Sequence, residues 1–296
     1  MRVEKLSEER LEEFKAYCYK YRYIHDESFL YDEDIENFEV NDENPTYLLI
    51  ENNTITGVLS LMFNDYYLAG KKARVRIYHC EHTDMESYKT LLEAALPLKV
   101  DIDRIEMFIP EKLNRVQQIL HTLGFDKHRT SYVMVRKEKP LVKANFPEGY
   151  HLRPIRKNKD ESAYAMVRNE AFKNISGSQT PITSEMVSKQ NEESGLLSDG
   201  MQILWFDEKP VGVLRMLKES EDSGDYSFVA PIALLPEYQG KGLGCELLKA
   251  GIELGQKNGL VNCMLVVNAE NEQALSLYVK NGFEVDMAMN CLTLEV

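Results

Sequence analysis

Gln239-Gly240-Lys241-Gly242-Leu243-Gly244 separates an apolar, extended-looking run at 226–235 from a helical run at 243–256. A glycine-rich turn between a strand and a helix leaves the first N–H groups of the helix without partners inside it. Those N–H groups and the positive end of the helix dipole suit phosphate oxygens, and Lys241 adds a positive charge at the rim. The stretch therefore predicts a pyrophosphate-binding loop.

Two common nucleotide-binding loops do not match this stretch. The P-loop needs Gly-x4-Gly-Lys-Ser/Thr, but here Gly242 follows Lys241, so the hydroxyl that would hold magnesium is missing. The dinucleotide fingerprint needs Gly-x-Gly-x-x-Gly, whereas these glycines stand at 240, 242 and 244. The pattern that fits is Gln/Arg-x-x-Gly-x-Gly. Taken alone, the six residues leave an ordinary strand–helix turn open.

A second motif follows closer to the C-terminus. The apolar run 263–267 predicts a buried strand, which leads into a predicted helix ending before Gly282. Asn271 and Tyr278 are seven residues apart, so they lie two turns apart on one face of that helix. Gly282 suits a left-handed C-terminal cap.

Together the two motifs make residues 148–296 resemble the GNAT superfamily of N-acetyltransferases. In that family Gln/Arg-x-x-Gly-x-Gly forms the coenzyme A pyrophosphate loop, and Asn-x-x-Ala-x-x-x-Tyr-x-x-x-Gly-Phe is the closing block. The resemblance implies acetyl-CoA (coenzyme A) as co-substrate and no metal. It also implies the cofactor-binding residues Leu234 (through its N–H), Gln239, Gly240, Lys241, Gly242, Leu243, Gly244 and Asn271.

The same resemblance makes Tyr278 the candidate catalytic residue, as general acid toward the departing thiolate. A free tyrosine has a pKa near ~10 and a thiol near ~8.5, so donating a hydrogen bond is an alternative to full proton transfer. Two structural alternatives stay open, with Tyr278 as a packing residue and Asn271 as a helix cap alone.

In GNAT enzymes the strand before the loop splays from its neighbour, and the pantetheine arm pairs with its exposed backbone. By resemblance this strand is 226–235 here. Pro231 lacks a ladder N–H, so it fits either the bulge that a splay requires or an irregular strand start.

The sequence repeats its order of elements on either side of a polar, proline-bearing stretch at 137–147. Gly212 follows Gly57 by 155 residues in matching predicted hairpins, and Gly282 follows Gly124 by 158 residues in matching Gly-Phe pairs. The near-constant offset predicts an internal duplication.

We therefore expect an α/β (α+β) fold class of two tandem GNAT-like domains, each a mixed, mostly antiparallel sheet flanked by helices. The predicted divisions are a degenerate domain at 1–136, a linker at 137–147 and an active domain at 148–296. The first copy lacks the chemistry, because its loop position reads Thr83-Asp-Met-Glu-Ser-Tyr88 without glycine. Leu113 and Leu120 replace the asparagine and the tyrosine. Its predicted role is to brace the second domain or shape the acceptor site.

No residue is nominated as general base. Glu219, Glu221, Asp222 and Asp225 precede the splayed strand and could supply a carboxylate, but a solvated turn is the better interpretation. Acidic residues at 32–43 could attract a cationic acceptor, and again solvated surface is the better interpretation.

Composition bounds the remaining possibilities. A net charge of −13 argues against nucleic acid as a partner. The sequence has no signal-peptide pattern or membrane-spanning run, and its five cysteines lack Cys-x-x-Cys spacing, so we expect a cytoplasmic protein with free thiols and no membrane partner.

The expected function is acetyl-CoA-dependent N-acetyl transfer to a primary amine of a small molecule or peptide by direct attack. The alternatives are an acyltransferase with another acceptor, as in mycothiol synthase, and a catalytically silent coenzyme A-binding sensor or scaffold. The two halves are expected to pack within one chain. The acceptor, the oligomeric state and any ligand of the N-terminal half stay open.

Overall fold

A computed structural model describes residues 1–24, 29–98, 100–140, 143–221 and 224–296. Asp222, the side chain of Glu221 and part of the predicted linker, residues 141 and 142, lie outside the described residues. The chain divides into two compact units: unit 1 contains Met1–Thr130 and Ala288–Val296, and unit 2 contains Ser131–Met287.

Helices and strands alternate along both units. In the described ranges the strands are β1 (Arg2–Lys5), β2 (Thr46–Glu51), β3 (Thr54–Met62), β4 (Lys72–Cys80), β5 (Arg104–Pro110), β6 (Asp126–Arg136), β7 (Tyr150–Pro154), β8 (Leu196–Phe206), β9 (Lys209–Glu221), β10 (Gly224–Leu234), β11 (Asn262–Asn268) and β12 (Glu284–Glu295). The helices are α1 (Leu11–Tyr21), α2 (Asp32–Glu36), α3 (Asp65–Ala69), α4 (Met85–Ala95), α5 (Asn114–Thr122), α6 (Glu161–Phe172), α7 (Ser184–Gln190), α8 (Leu243–Lys257) and α9 (Glu272–Lys280).

Unit 1 is built on a sheet with the strand order β1-β2-β3-β4-β5-β12. Its neighbours pair antiparallel except β4 and β5, which are parallel. One apolar core joins a face of this sheet to α4 and α5, and a second joins the opposite face to α1 and α2. The sheet is therefore covered on both faces.

Unit 2 repeats this plan with the strand order β6-β11-β10-β9-β8-β7. Here β10 and β11 are the parallel pair, and β6–β11, β10–β9, β9–β8 and β8–β7 pair antiparallel. The main core of unit 2 lies against α8 and α9, because α8 buries a stripe of residues at helical spacing on that side. Two mixed, mostly antiparallel sheets flanked by helices confirm the predicted fold class.

Gly57 and Gly212 occupy matching environments in the two units. A Cβ on Gly57 would lie 3.2 Å from Leu49 Cβ and 2.9 Å from Cys80 Sγ. A Cβ on Gly212 would lie 3.3 Å from Leu204 Cβ and 2.7 Å from Leu234 Cδ2. Each glycine therefore permits the same close approach between a strand hairpin and the next strand, as a duplication predicts.

The bounds of the compact units differ from the predicted halves 1–136 and 148–296. Residues 289–295 of β12 pair with β5 in unit 1, and residues 131–136 of β6 pair with β11 in unit 2. Each unit thus takes one strand from the other part of the sequence, and the polar, proline-bearing stretch at 137–147 gives no indication of that exchange. The assignment of one domain as degenerate and one as active stays a prediction.

Candidate functional site

The strands β10 and β11 separate partway along their length. Their parallel pairing runs from Tyr226 opposite Asn262 to Val229 opposite Leu265. Among the described strands, the rest of β10 pairs with β9 alone, and the register of that pairing shifts between Val229 and Ile232. Pro231 therefore lies at a register shift within β10, which favours the bulge over the irregular strand start, and the C-terminal ends of β10 and β11 form a splay.

The glycine loop follows directly from the open end of β10. Gly240 and Gly242 have φ values of +71° and +82°, in the left-handed region that favours glycine. Gly242 is the N-cap of α8, and no side chain caps this helix. A Cβ on either glycine would meet no atom within 4 Å. The uncapped N-terminus of α8 therefore opens onto free space, as a phosphate-binding loop requires.

Two neighbouring side chains hold or flank this loop. The Gln239 side chain donates a hydrogen bond from Nε2 to the backbone oxygen of Leu234 at 3.0 Å. Lys241 places Nζ 4.9 Å from the centroid of the Tyr238 ring. The first contact ties the loop to the end of β10, and the second keeps a cation beside it.

Three elements meet at Gly244, in the first turn of α8. A Cβ there would lie 3.6 Å from Leu277 Cδ2 on α9 and 3.8 Å from Leu234 Cδ1 at the end of β10. The two sequence motifs are thus brought together beside the splay, with Tyr278 directly after Leu277 in α9.

Tyr278 is buried at the site. Its side chain is 7% exposed, and its ring lies 6.0 Å from that of Phe283. No hydrogen bond joins its hydroxyl to another residue in the described ranges. Burial raises the pKa of Tyr278 to about 12. Full proton transfer to a thiolate of pKa ~8.5 is then uphill by roughly 5 kcal/mol, which favours hydrogen-bond donation over transfer.

Asn271 caps α9. Its Oδ1 accepts a hydrogen bond from the backbone N–H of Ala274 at 3.1 Å, which is the N-cap arrangement. The capping part of the prediction is confirmed, and contact with the cofactor stays a prediction.

The corresponding positions in unit 1 differ chemically. Asp84 caps α4 by accepting a hydrogen bond from the Ser87 N–H at 2.9 Å, so a carboxylate already occupies the helix N-terminus. At the start of α5, Leu113 offers no side-chain cap, and Leu120 is fully buried. The backbone plan is kept while the polar groups are replaced.

Asp225, one of the acidic residues before the splay, does not reach it. Asp225 pairs with Lys218 at 2.7 Å and accepts a hydrogen bond from Ser220 Oγ at 2.7 Å. These contacts lower the pKa of Asp225. Asp225 starts β10 whereas Leu234 ends it, and nine residues of strand span about 30 Å. Asp225 is therefore a tied surface carboxylate.

One side chain at the splay was not predicted from the sequence. Asn268 ends β11, and its Nδ2 donates a hydrogen bond to the backbone oxygen of Ser176 at 2.9 Å. Ser176 belongs to the loop 173–183 between α6 and α7. Arg168 and Asn169 of α6 also bind this loop, through backbone atoms of residues 180 and 182. The loop is thus fixed against the open end of β11.

Residues 169–283 match the family model described as the acetyltransferase (GNAT) family. This matched stretch is a GNAT domain. That match contains the splay, the glycine loop and Tyr278.

The chain is also similar in sequence to curated proteins. A mycothiol acetyltransferase from Kocuria rhizophila is 31% identical over 148 residues, which cover 48% of each chain. Another from Pseudarthrobacter chlorophenolicus is 31% identical over 165 residues, covering 51% of this chain and 47% of its own. The chain spans about half the length of the curated relatives it matches.

Solved structures show the tandem fold over nearly the whole chain. A GCN5-related N-acetyltransferase from Sphaerobacter thermophilus superposes with a TM-score of 0.71 at 15% identity, covering 99% of this chain and 95% of its own. A tandem GNAT protein from the clavulanic acid biosynthesis pathway gives 0.72 at 13% identity, covering 99% and 98%. Within the described residues, no helix is long and apolar enough to cross a membrane, and no cluster of three potential metal ligands occurs.

Proposed function

We propose that the protein is an acetyl-CoA-dependent N-acetyltransferase that transfers an acetyl group to a primary amine of a small molecule or peptide by direct attack. The observation that carries this proposal is the meeting of three elements at Gly244: the splayed β10, the uncapped start of α8 and the helix that bears Tyr278. A GNAT domain supplies the class of reaction.

Each proposed site residue has a separate task. The backbone N–H groups of residues 240–244 bind the pyrophosphate of coenzyme A, and Lys241 adds charge. Leu234 offers its N–H to the pantetheine arm on the side of β10 that faces away from β9. Asn271 orients the start of α9 and bonds the cofactor arm.

Tyr278 donates a hydrogen bond to sulfur as negative charge develops there. The hydroxyl stays protonated across the neutral range, because burial raises its pKa to about 12. A hydrogen bond that strengthens only as charge develops lowers the barrier without tightening ground-state binding.

An acceptor other than a simple amine is the second candidate. The curated relatives with the matching domain carry the name mycothiol acetyltransferase, which favours an acceptor related to theirs. A silent coenzyme A-binding sensor is the third. We also propose a cytoplasmic location, since all five cysteines are free thiols.

Thiol release from acetyl-CoA tests the proposal. The full chain would be assayed against amines, polyamines, amino acids, amino sugars and peptides, with mass spectrometry of each product. Acceptor-dependent release that yields an N-acetyl product supports it. Tight coenzyme A binding without release on any acceptor would favour the sensor, and absence of coenzyme A binding would overturn both.

A further inference from the structure

A row of basic side chains lies on one face of the unit 1 sheet. Lys72 and Arg74 on β4 and Arg129 on β6 are 2%, 5% and 5% exposed. Ala73 and Ile105, which alternate with members of this face along β4 and β5, belong to the core against α4. The basic row therefore lies on the face opposite α4. Burial of these side chains is unexpected, because lysine and arginine are rarely buried unless they are paired.

The carboxylate in this row is already engaged. Glu106, 3% exposed, binds Lys72 through Oε2 at 3.2 Å and Arg104 through Oε1 at 2.9 Å. Both oxygens thus have a cationic partner. Glu106 accepts no hydrogen bond from Arg129, although its negative charge also acts on the Arg129 guanidinium.

Arg129 is buried, and two of its nitrogen atoms lack a hydrogen-bond acceptor among the described residues. Its Nε and Nη1 atoms are buried and have no partner within the parts of the chain that the structure describes. Its guanidinium carbon lies 5.2 Å from the centroid of the Phe108 ring, and that of Arg74 lies 4.1 Å from the same ring. Two guanidinium groups therefore flank one aromatic side chain. Burying a cation without an acceptor is costly, and an anion is the natural compensation.

We propose that this face of unit 1 binds a small oxyanion, a phosphate or carboxylate group, against the Arg129 guanidinium beside Phe108. A guanidinium fork matches two oxygens of either group. The site differs from the proposed pyrophosphate loop, which belongs to unit 2. Unit 1 then acts as a ligand-binding domain in addition to any bracing role.

Calorimetric titration of the full chain with inorganic phosphate tests the proposal. The Gly242→Glu background is used alongside wild type, because it removes the unit 2 loop as a second phosphate seat. We expect one saturable site that survives Gly242→Glu and loses at least tenfold in affinity in Arg129→Gln. Arg115→Gln, at an exposed position of α5, is the matched control and should bind like wild type.

Acetate and succinate in place of phosphate distinguish the two ligand sources. If either phosphate or a carboxylate binds more tightly and its binding depends on Arg129, the result supports the site and identifies the class of its ligand. An identical isotherm in Arg129→Gln, or no binding of phosphate, acetate or succinate to wild type, would overturn the proposal.

Thermal unfolding gives a second readout. Wild type and Arg129→Gln should unfold at similar temperatures without added anion, and phosphate should raise the midpoint only when Arg129 is present. A drop in the Arg129→Gln midpoint that is equal with and without phosphate would overturn the proposal, because a stacked structural cation behaves that way. If Arg129→Gln does not fold, Arg129→Lys replaces it, because lysine keeps the charge but lacks the guanidinium fork. Unchanged phosphate affinity in Arg129→Lys would also overturn the proposal.

Discussion

The Gln239 side chain donates a hydrogen bond to the backbone carbonyl of Leu234 at 3.0 Å. This bond closes the turn between the splayed end of β10 and the glycine loop. Sequence resemblance assigns both residues to the cofactor, but here they also bind each other. Gln239 therefore sets the position of the loop relative to the strand that would hold the pantetheine arm.

Replacing Gln239 with alanine should weaken coenzyme A binding about fivefold, since one neutral hydrogen bond contributes roughly 1 kcal/mol. Isothermal titration calorimetry measures the change. Gln118→Ala, at an exposed position of α5, is the control and should leave affinity unaltered. Equal affinities in wild type and Gln239→Ala would show that the loop holds its position without this bond.

A glutamate at Gly242 should reduce coenzyme A affinity at least tenfold, and wild type should bind one coenzyme A per chain. The new carboxylate would sit at the uncapped start of α8 and repel phosphate. Gly259→Glu is a matched control, because Gly259 has the same φ of +82° and equally open space at the other end of α8. Comparable losses in both variants would point to backbone strain, and two equivalent sites in wild type would refute the assignment to unit 2.

The sequence predicted the local backbone geometry around the proposed site. The spacing from Asn271 to Tyr278 and the glycines at 240 and 242 depend on backbone geometry that neighbouring residues determine. The bulge at Pro231 follows from its missing N–H in the same way. A few adjacent residues determine such features, so the motifs alone were enough to predict them.

Contacts between distant segments could not be predicted from the sequence. Asn268 bonds Ser176 across 92 positions, and Arg129 meets Phe108 across two strands of a sheet whose order no local pattern encodes. The pairing of β12 with β5 was missed for the same reason. These contacts depend on tertiary packing, in which an asparagine at a strand end or an arginine in a strand has no distinguishing neighbours.

Tyr278→Phe should lower turnover by roughly 10²–10⁴-fold while stability and coenzyme A affinity barely change. The substitution keeps the ring beside Phe283 and removes only the hydroxyl, to which we assign the stabilisation of charge on sulfur. Single-turnover acetyl transfer measures the chemical step even where product release limits steady-state turnover. Tyr150→Phe, in the same apolar core, should be neutral. A wild-type rate in Tyr278→Phe would identify Tyr278 as a packing residue.

Asp160 should make the stability of unit 2 depend on acid pH. Hydrogen bonds from Arg156, and next from Arg153, hold the pKa of this carboxyl well below its usual range. Its contribution is therefore fully present above pH ~4, the unfolded pKa, and is lost as the pH falls through the lower folded value. Asp160→Asn should cost roughly 1–2 kcal/mol at pH 7, because Arg153 and Arg156, which are partly exposed, lose the charge of their buried acceptor.

Urea unfolding between pH 7 and pH 2 measures this dependence. The difference between wild type and Asp160→Asn should shrink below pH ~4, since both side chains are then largely neutral in the unfolded chain. Asp286→Asn, at an exposed position, should match wild type throughout. A difference that stays constant down to pH 2 would assign the loss to packing and not to charge.

Asn268→Ala should raise the KM for the acceptor about tenfold with little change in coenzyme A affinity. The variant frees Ser176 and with it the loop 173–183, which the Asn268 amide fixes beside the open end of β11. The glycine loop lies on other elements and keeps its contacts. Asn262→Ala is the control, because Asn262 also bonds a backbone atom, the Glu138 N–H at 3.1 Å, but at the opposite end of β11. Steady-state kinetics with each substrate varied, together with calorimetry, separate the effects. Parallel losses in coenzyme A affinity and acceptor KM, or equal effects of both variants, would show that Asn268 supports β11 in general and does not position an acceptor loop.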